Sequence, residues 1–327
     1  MSCPVSITIH PSQFPENVRR DLLESLRSRQ INHKFHYDSV NQAQKWLALH
    51  QAYSPSRTDP NCLQVYDQSF IAAAERIGGK RVHLIGLGCG GGQKDARLLN
   101  LLKKSGRELF YTPSDVSVAM VLVAQAATSR VIGAKNCFPM VCDLASPSEL
   151  KFSIPEGVNS SRLLTFFGMI PNFEPQGILP KLAGILHEGD LLLFSANLAP
   201  GHDYAAGMRK ILPLYDNKLT REWLQTFLLD LGVERSAGEL TIKVESVRPN
   251  LRWKRVEANF CFAKRTRINL PEEVFKFRRG EKIRLFFSYR YTPPLLVPLL
   301  RGEGFDILDQ WITTSGEEGV FLCRKSS

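Results

Sequence analysis

RVHLIGLGCGGGQKD, residues 81–95, runs from an apolar stretch into a cluster of glycines and then straight into KDARLLNLLKKSG, whose leucines recur at helical spacing. The first part reads as a strand and the last as a helix, with a glycine-rich turn between them. Glycines let the backbone come close to a ligand, and the first turn of a helix offers N–H groups that have no partner inside the helix. A turn of this kind marks the ligand-facing corner of a doubly wound sheet, although alone it is equally a structural turn. The next strand, ELFYTPSD, adds weight because it ends on Asp115, where a carboxylate accepts hydrogen bonds from both hydroxyls of a ribose. Gly86, Gly88, Gly90, Lys94 and Asp115 are therefore candidate cofactor-binding residues.

Outward from this corner, strand and helix patterns keep alternating. An Ala- and Val-rich helix covers 116–129, a strand leads toward Asp143, another covers 161–167, a helix follows Pro175, and the strand DLLLFSANL opens at Asp190. Such alternation implies parallel pairing in an α/β, Rossmann-like sheet. Upstream lie an amphipathic stretch at 16–29, a polar loop around AYSPSRTDPN and a helix at 62–77. Beyond Pro200 the pattern becomes α+β: helical over 204–230, then strands at 239–248, 255–264 and 282–289, and a closing hairpin of FDILDQWITT and EEGVFLCRK. A chain of 327 residues has room for two lobes. Residues 61–200 are expected to form the cofactor domain, with 1–60 and 201–327 as the N- and C-terminal parts of a second, substrate-binding lobe.

Asp143, in MVCDLA after the third strand, is a further candidate cofactor contact, and a helix N-cap explains it about equally well. GLGCGGG departs from the G-x-G-x-x-G spacing of a dinucleotide oxidoreductase, and G-x-x-x-x-G-K-[ST] is absent, which excludes P-loop chemistry. Hydrophobic residues at 43% and charged residues at 23% describe an ordinary globular chain. Seven cysteines without a C-x-x-C pair suggest reduced, mostly buried thiols and no metal site. Neither a membrane helix nor a signal peptide is legible, so a cytoplasmic monomer without membrane contact is expected. The net charge of +10 is concentrated at 264–267 and 276–284 and raises nucleic acid as a partner, but basic residues alternating with Phe, Ile and Leu also describe solvated strand faces, the favoured reading.

With these residues in place the chain resembles the histidine Nα-methyltransferase family of ergothioneine biosynthesis, which is related to fungal dimethylallyltryptophan N-methyltransferases. The resemblance runs from about Lys34 to the C-terminus through KFHYDSV (34–40), YSPSRTD (53–59), LIGLGCGGGQKDARLL, YTPSDVS, FGMIPNFEP (167–175), LYD (214–216) and RGEKIRLFFSYRY (279–291). It implies a class I methyltransferase domain that binds S-adenosylmethionine (SAM), an N-methylation reaction, and a small amino acid or amine held between the lobes. By position, Tyr37, Asn172 and Tyr215 match residues that hold the amino acid's amine and carboxylate, with Asn172 and Tyr37 orienting the amine for attack. Tyr53 and Ser288 match residues lining the side-chain end. Histidine-selective members carry a glutamate two residues before that serine, to accept the imidazole N–H; here the position is Phe286. Ala258 matches another lining position where the family has a bulkier methionine, which implies a pocket with more room for a large side chain. An imidazole against Phe286 would leave its N–H unpaired, at a cost of about 1–3 kcal/mol. The acceptor is thus expected to be an aromatic amino acid or related amine and not histidine, the alternatives being an RNA or protein methyltransferase or a SAM-binding protein without activity.

Overall fold

The computed structural model describes residues 5–146, 148–152, 154, 159–247 and 253–326; Cys3 and Arg248, the last residue of one expected strand, lie outside them. The chain begins with β1 (Thr8–Ile9), α1 (Pro15–Ser28), α2 (Val40–Tyr53), the single turn α3 (Pro55–Thr58) and α4 (Pro60–Arg76). The alternating part follows as β2 (Arg81–Leu87), α5 (Gln93–Lys104), β3 (Glu108–Asp115), α6 (Val118–Thr128), β4 (Met140–Val141), β5 (Ser161–Phe167), α7 (Pro175–Ile185) and β6 (Leu191–Asn197). The remainder comprises α8 (Tyr204–Ile211), α9 (Lys218–Asp230), β7 (Gly238–Ser246), β8 (Lys254–Phe262), β9 (Thr266–Asn269), β10 (Val274–Phe277), β11 (Lys282–Arg290), α10 (Pro293–Gly302), β12 (Phe305–Ile312) and β13 (Glu318–Lys325).

One sheet of eight strands has the order β1-β4-β3-β2-β5-β6-β13-β12. Its members from β1 to β6 are parallel, and β13 and β12 add to one edge antiparallel. This is a Rossmann-like sheet, with its switch point between β2 and β5, where the order reverses. Strands in such a sheet are covered on both faces, which is why β2 is buried at every residue after Arg81. On one side α5 buries Leu98, Leu99 and Leu102 against Val82, Leu84 and the helix α4, while Lys103 and Lys104 stay outside at its C-terminal end.

A second sheet, β11-β8-β7, and the ribbon β10-β9 pack with α1, α8 and α9 around their own core, which includes Leu224, Phe227, Phe260 and Ile283. β11 joins the two bodies. A register shift between Arg284 and Phe286 resets its alternation, so that Phe286 packs into the smaller body's core while Phe287, Tyr289 and Tyr291 pack against the large sheet with Trp253. Its end meets β6 through the bridge Leu198↔Tyr291.

The closing hairpin differs from expectation. Placed by sequence within the 201–327 part of the substrate-binding lobe, it belongs to the large sheet, where β13 pairs with β6 from Glu318↔Asn197 to Cys323↔Leu192. The physical reason is that β6 would otherwise leave an apolar edge open, and β13, buried over its first six residues, covers it. At the opposite edge β1, from the N-terminal sixty residues, pairs with β4. Among the described residues no helix is long and apolar enough to cross a membrane, and no cluster of side chains is suited to a metal ion. Within the two basic stretches Lys264 pairs with Glu234 (2.7 Å) and Arg284 with Glu257 (3.7 Å).

Candidate functional site

A cavity of about 410 Å3 opens above the C-terminal ends of β2, β3, β5 and β6, between the two bodies. It is lined by Gly88, Gly90, Lys94, Asp115 and Asp143 at one end and by Tyr37, Tyr53, Asn172, Tyr215, Phe286 and Ser288 at the other. Gly86 does not line it. That residue lies within β2 beneath a buried acid, and a Cβ there would stand 2.3 Å from Asp95 Oδ2, so its smallness serves packing.

The glycine end is a cradle of backbone. Gly88, Gly90 and Gly92 have φ of 66°, 50° and 70°, where other residues are strained. A Cβ on Gly92 would also come within 2.6 Å of Ala124 Cα, which locks the loop against α6. Asp115 accepts the Gly90 and Ser117 N–H groups, each at 3.1 Å, one on each carboxylate oxygen. Burial pushes its pKa up to about 6, against the opposing effect of those backbone bonds. Asp143 accepts the Ala145 N–H at 2.8 Å and faces Lys34 Nζ at 3.3 Å; Lys34 is in turn bound to Asp21. Lys94 donates to the Tyr66 hydroxyl at 2.7 Å and lies 3.7 Å from Glu318, which also takes the Tyr66 hydroxyl.

Sequence reasoning missed Asp95, which sits in the first turn of α5 and is buried where Tyr111 Oη (2.8 Å) and Thr165 Oγ1 (2.9 Å) donate to it. Burial raises its pKa to about 6. An acid in the first turn of the helix after the glycines was the available signal. Lys34 and Glu318 were also missed, because only the fold brings them here.

The other end is made of side chains. Main-chain bonds between Arg284 and both Arg29 and Ile31 dock the chain after α1 along β11, and this delivers His33 and Tyr37 into the cavity wall. Tyr37 packs on Trp46 (5.8 Å between ring centres) and Trp223 (5.5 Å). Burial, with the charge on Asp115, holds its hydroxyl far above the usual phenol range, against a hydrogen bond with Asn172. Asn172 closes the short turn Ile170–Asn172 after β5 and lines the same cavity as Tyr37. Tyr215 Oη is 2.8 Å from Ser288 Oγ and accepts from Arg290 Nε at 2.9 Å. Phe286 lies 4.9 Å from His33 and 5.7 Å from Trp223, ring to ring. Tyr53, 38% exposed, stands at the mouth. Ala258 is fully buried as the cross-strand partner of Phe286 and is not part of the wall, which corrects the expectation that it enlarges the pocket directly.

His33 accepts the Phe287 N–H on Nε2 (3.4 Å), and burial drives its pKa well down, so the ring is neutral. Among the described residues the acids lining the cavity are Asp95, Asp115, Asp143 and Glu318, grouped around the glycine loop, Lys34 and Lys94.

A family model described as histidine-specific methyltransferase, SAM-dependent, matches residues 18–325. The chain is 26% identical over 288 residues to the N-methyltransferase imqF of Aspergillus flavus, covering 82% of this chain and 73% of the relative. Among solved structures it is similar to magnesium protoporphyrin IX methyltransferase (ChlM) of Synechocystis PCC 6803, determined with bound SAH (14% identity, 88% of this chain and 95% of that one, TM-score 0.44). It is also similar to the CcbJ methyltransferase of Streptomyces caelestis (11% identity, 80% and 89%, TM-score 0.41). Neither structural likeness is close enough to carry an argument about this chain.

Proposed function

The chain belongs to the histidine-specific, SAM-dependent methyltransferase family, and from that membership we propose that it methylates the amine of an aromatic amino acid, or a related small amine, other than histidine. SAM fits the glycine end: a backbone cradle built on glycines at positive φ, with a buried carboxylate beside it, suits a ribose and an amino-acid tail. We assign Gly88, Gly90, Lys94, Asp115 and Asp143 to it.

When bound, SAM supplies a methyl already activated on positive sulfur, so the protein needs no strong base. The Tyr37 hydroxyl stays protonated at any working pH and serves as a hydrogen-bonding group. Asn172 beside it accepts an N–H through its amide oxygen, which points the amine lone pair along the line of attack. An ammonium would first give a proton to water, and the neutral amine held by Tyr37 and Asn172 would then take the methyl that bound SAM supplies, releasing a second proton. Tyr215 and Ser288 hold the carboxylate and the side-chain end, and Tyr53 covers the opening.

The observation that carries the choice of acceptor is the wall at Phe286. An imidazole placed there would meet aromatic rings and the neutral His33 instead of a carboxylate, since the lining acids belong to the other end. Indole or phenol rings suit Tyr37, Trp46, Trp223 and Phe286 through edge-to-face packing. The test is turnover of labelled SAM against a panel of free amino acids and amines. Tryptophan or tyrosine is expected to exceed histidine in kcat/KM; efficient turnover of histidine alone rejects the reading.

A further inference from the structure

Arg290 is a charged group in the cavity wall to which the methyl transfer gives no role. It lies on β11 two residues after Ser288, on the same face, and is 3% exposed. Its Nε donates to Tyr215 Oη at 2.9 Å, one terminal nitrogen donates to the carbonyls of Leu198 (3.1 Å) and Glu317 (3.2 Å), and its guanidinium carbon stands 5.2 Å from the Tyr215 ring centre. All of these acceptors are neutral. Other enclosed arginines of the smaller body, Arg255 and Arg284, reach Glu257 at 2.5 and 3.7 Å, whereas Glu317 turns its carboxylate to Lys210 (3.9 Å) and Glu318 is held by Lys94 and Tyr66. Among the described residues no carboxylate lies within ion-pair distance of Arg290. A cation kept this dry without a counter-charge is costly, and proteins retain one where a ligand supplies the missing charge.

We propose that the missing charge is the acceptor's own carboxylate, and that Arg290 is a positioning residue that restricts the enzyme to amines carrying one. This rests on the reading that an amino acid binds at Tyr215. Because Arg290 donates to Tyr215 Oη, the phenolic hydrogen is left to be donated onward, to Ser288 or to a carboxylate oxygen. The guanidinium supplies the positive potential that makes that donation selective for an anion. The substrate class thereby narrows to free amino acids, and any reaction that removes the carboxylate must act after this methylation.

Turnover by the purified full chain is compared for L-tryptophan against tryptamine and L-tyrosine against tyramine, in the unmodified protein, Arg290→Lys and Arg290→Met, alongside titration of SAH. The amino acid of each productive pair is expected to exceed its amine by about 100-fold in kcat/KM. Arg290→Met is expected to raise KM for the amino acid by about 30-fold or more with little change for the amine, Arg290→Lys to recover part of the loss, and SAH affinity to stay constant. Equal use of acid and amine by the unmodified protein overturns the proposal. So does a parallel loss on both in the variants, which would mark Arg290 as a structural tie between β6 and the final hairpin. A selective loss of SAH affinity would assign the carboxylate to the cofactor and overturn it too. Turnover of amino acids without discrimination defeats only this proposal; no turnover of any amino acid or amine defeats the reading it rests on.

Discussion

At the glycine end of the cavity, the lining comes mainly from a single strand, loop and helix and from the tips of the next two strands, and main-chain N–H groups hold Asp115 in place. At the acceptor end, Tyr37, Asn172, Tyr215, Phe286 and Ser288 come from distant parts of the chain and act entirely through side chains. The first kind of site is tied to the fold, since moving the loop breaks the sheet corner. The second can be retuned by single substitutions while the scaffold stays in place, and so the acceptor can differ among chains that share the cofactor.

The contrast is sharpest if damage at one end spares the other. Asp115→Asn is expected to weaken SAH binding by about 100-fold or more, read by isothermal titration, because a charged acceptor for two hydroxyls is lost. Its effect on stability should be small. The folded pKa of Asp115, about 6, lies above its ordinary value, so the folded protein holds that proton more tightly, and this contribution is lost as pH rises from about 4 through 6. At pH 8 relief from the buried charge is set against the loss of one of two backbone acceptors, since an amide has a single acceptor oxygen, so the Tm should change only modestly. A large drop in Tm with SAH binding intact would break the assignment of Asp115 to the cofactor.

Asn172→Ala is the complementary cut. It should lower kcat/KM for the acceptor by about 30-fold while SAH affinity stays within twofold, because the role proposed for the amide is toward the amine alone. Loss of cofactor affinity instead would show that the two ends are not independent. Phe286→Glu, a smaller change, should move the ratio of histidine to tryptophan turnover about tenfold toward histidine, measured by competition. The smallest effect is on pH: SAH affinity should fall about fourfold between pH 7 and 5.5 as Asp115 takes up its proton, and Asp115→Asn should flatten most of that slope. A slope that persists undiminished points to Asp95, which titrates in the same range.

The strand-loop-helix at 81–104, Asp115 and the alternation through β6 were readable because their signals are local: periodicity, glycines and an acid at a strand end all lie within a few residues of one another. Asp95 was overlooked although its signal was local too. The meeting of Tyr37 with Asn172 and the facing of Phe286 into the cavity were reachable only through the family resemblance, for the segments that carry them are unremarkable loops and strands on their own.

What the sequence by itself determined is thus a Rossmann-like domain with a nucleotide-facing corner, since backbone geometry at that corner depends on nearby residues alone. What only the tertiary structure decided is where the last hairpin goes and which side chains share a wall. β13 reads by itself as half of a hairpin, yet it covers the open edge of β6 and carries Glu318 to Lys94. The register shift before Phe286 sets which face of β11 meets the cavity, and puts Arg290 beside Tyr215 without an acid. Edge pairing and strand register are fixed by burial against partners far along the chain, and no local pattern carries that information.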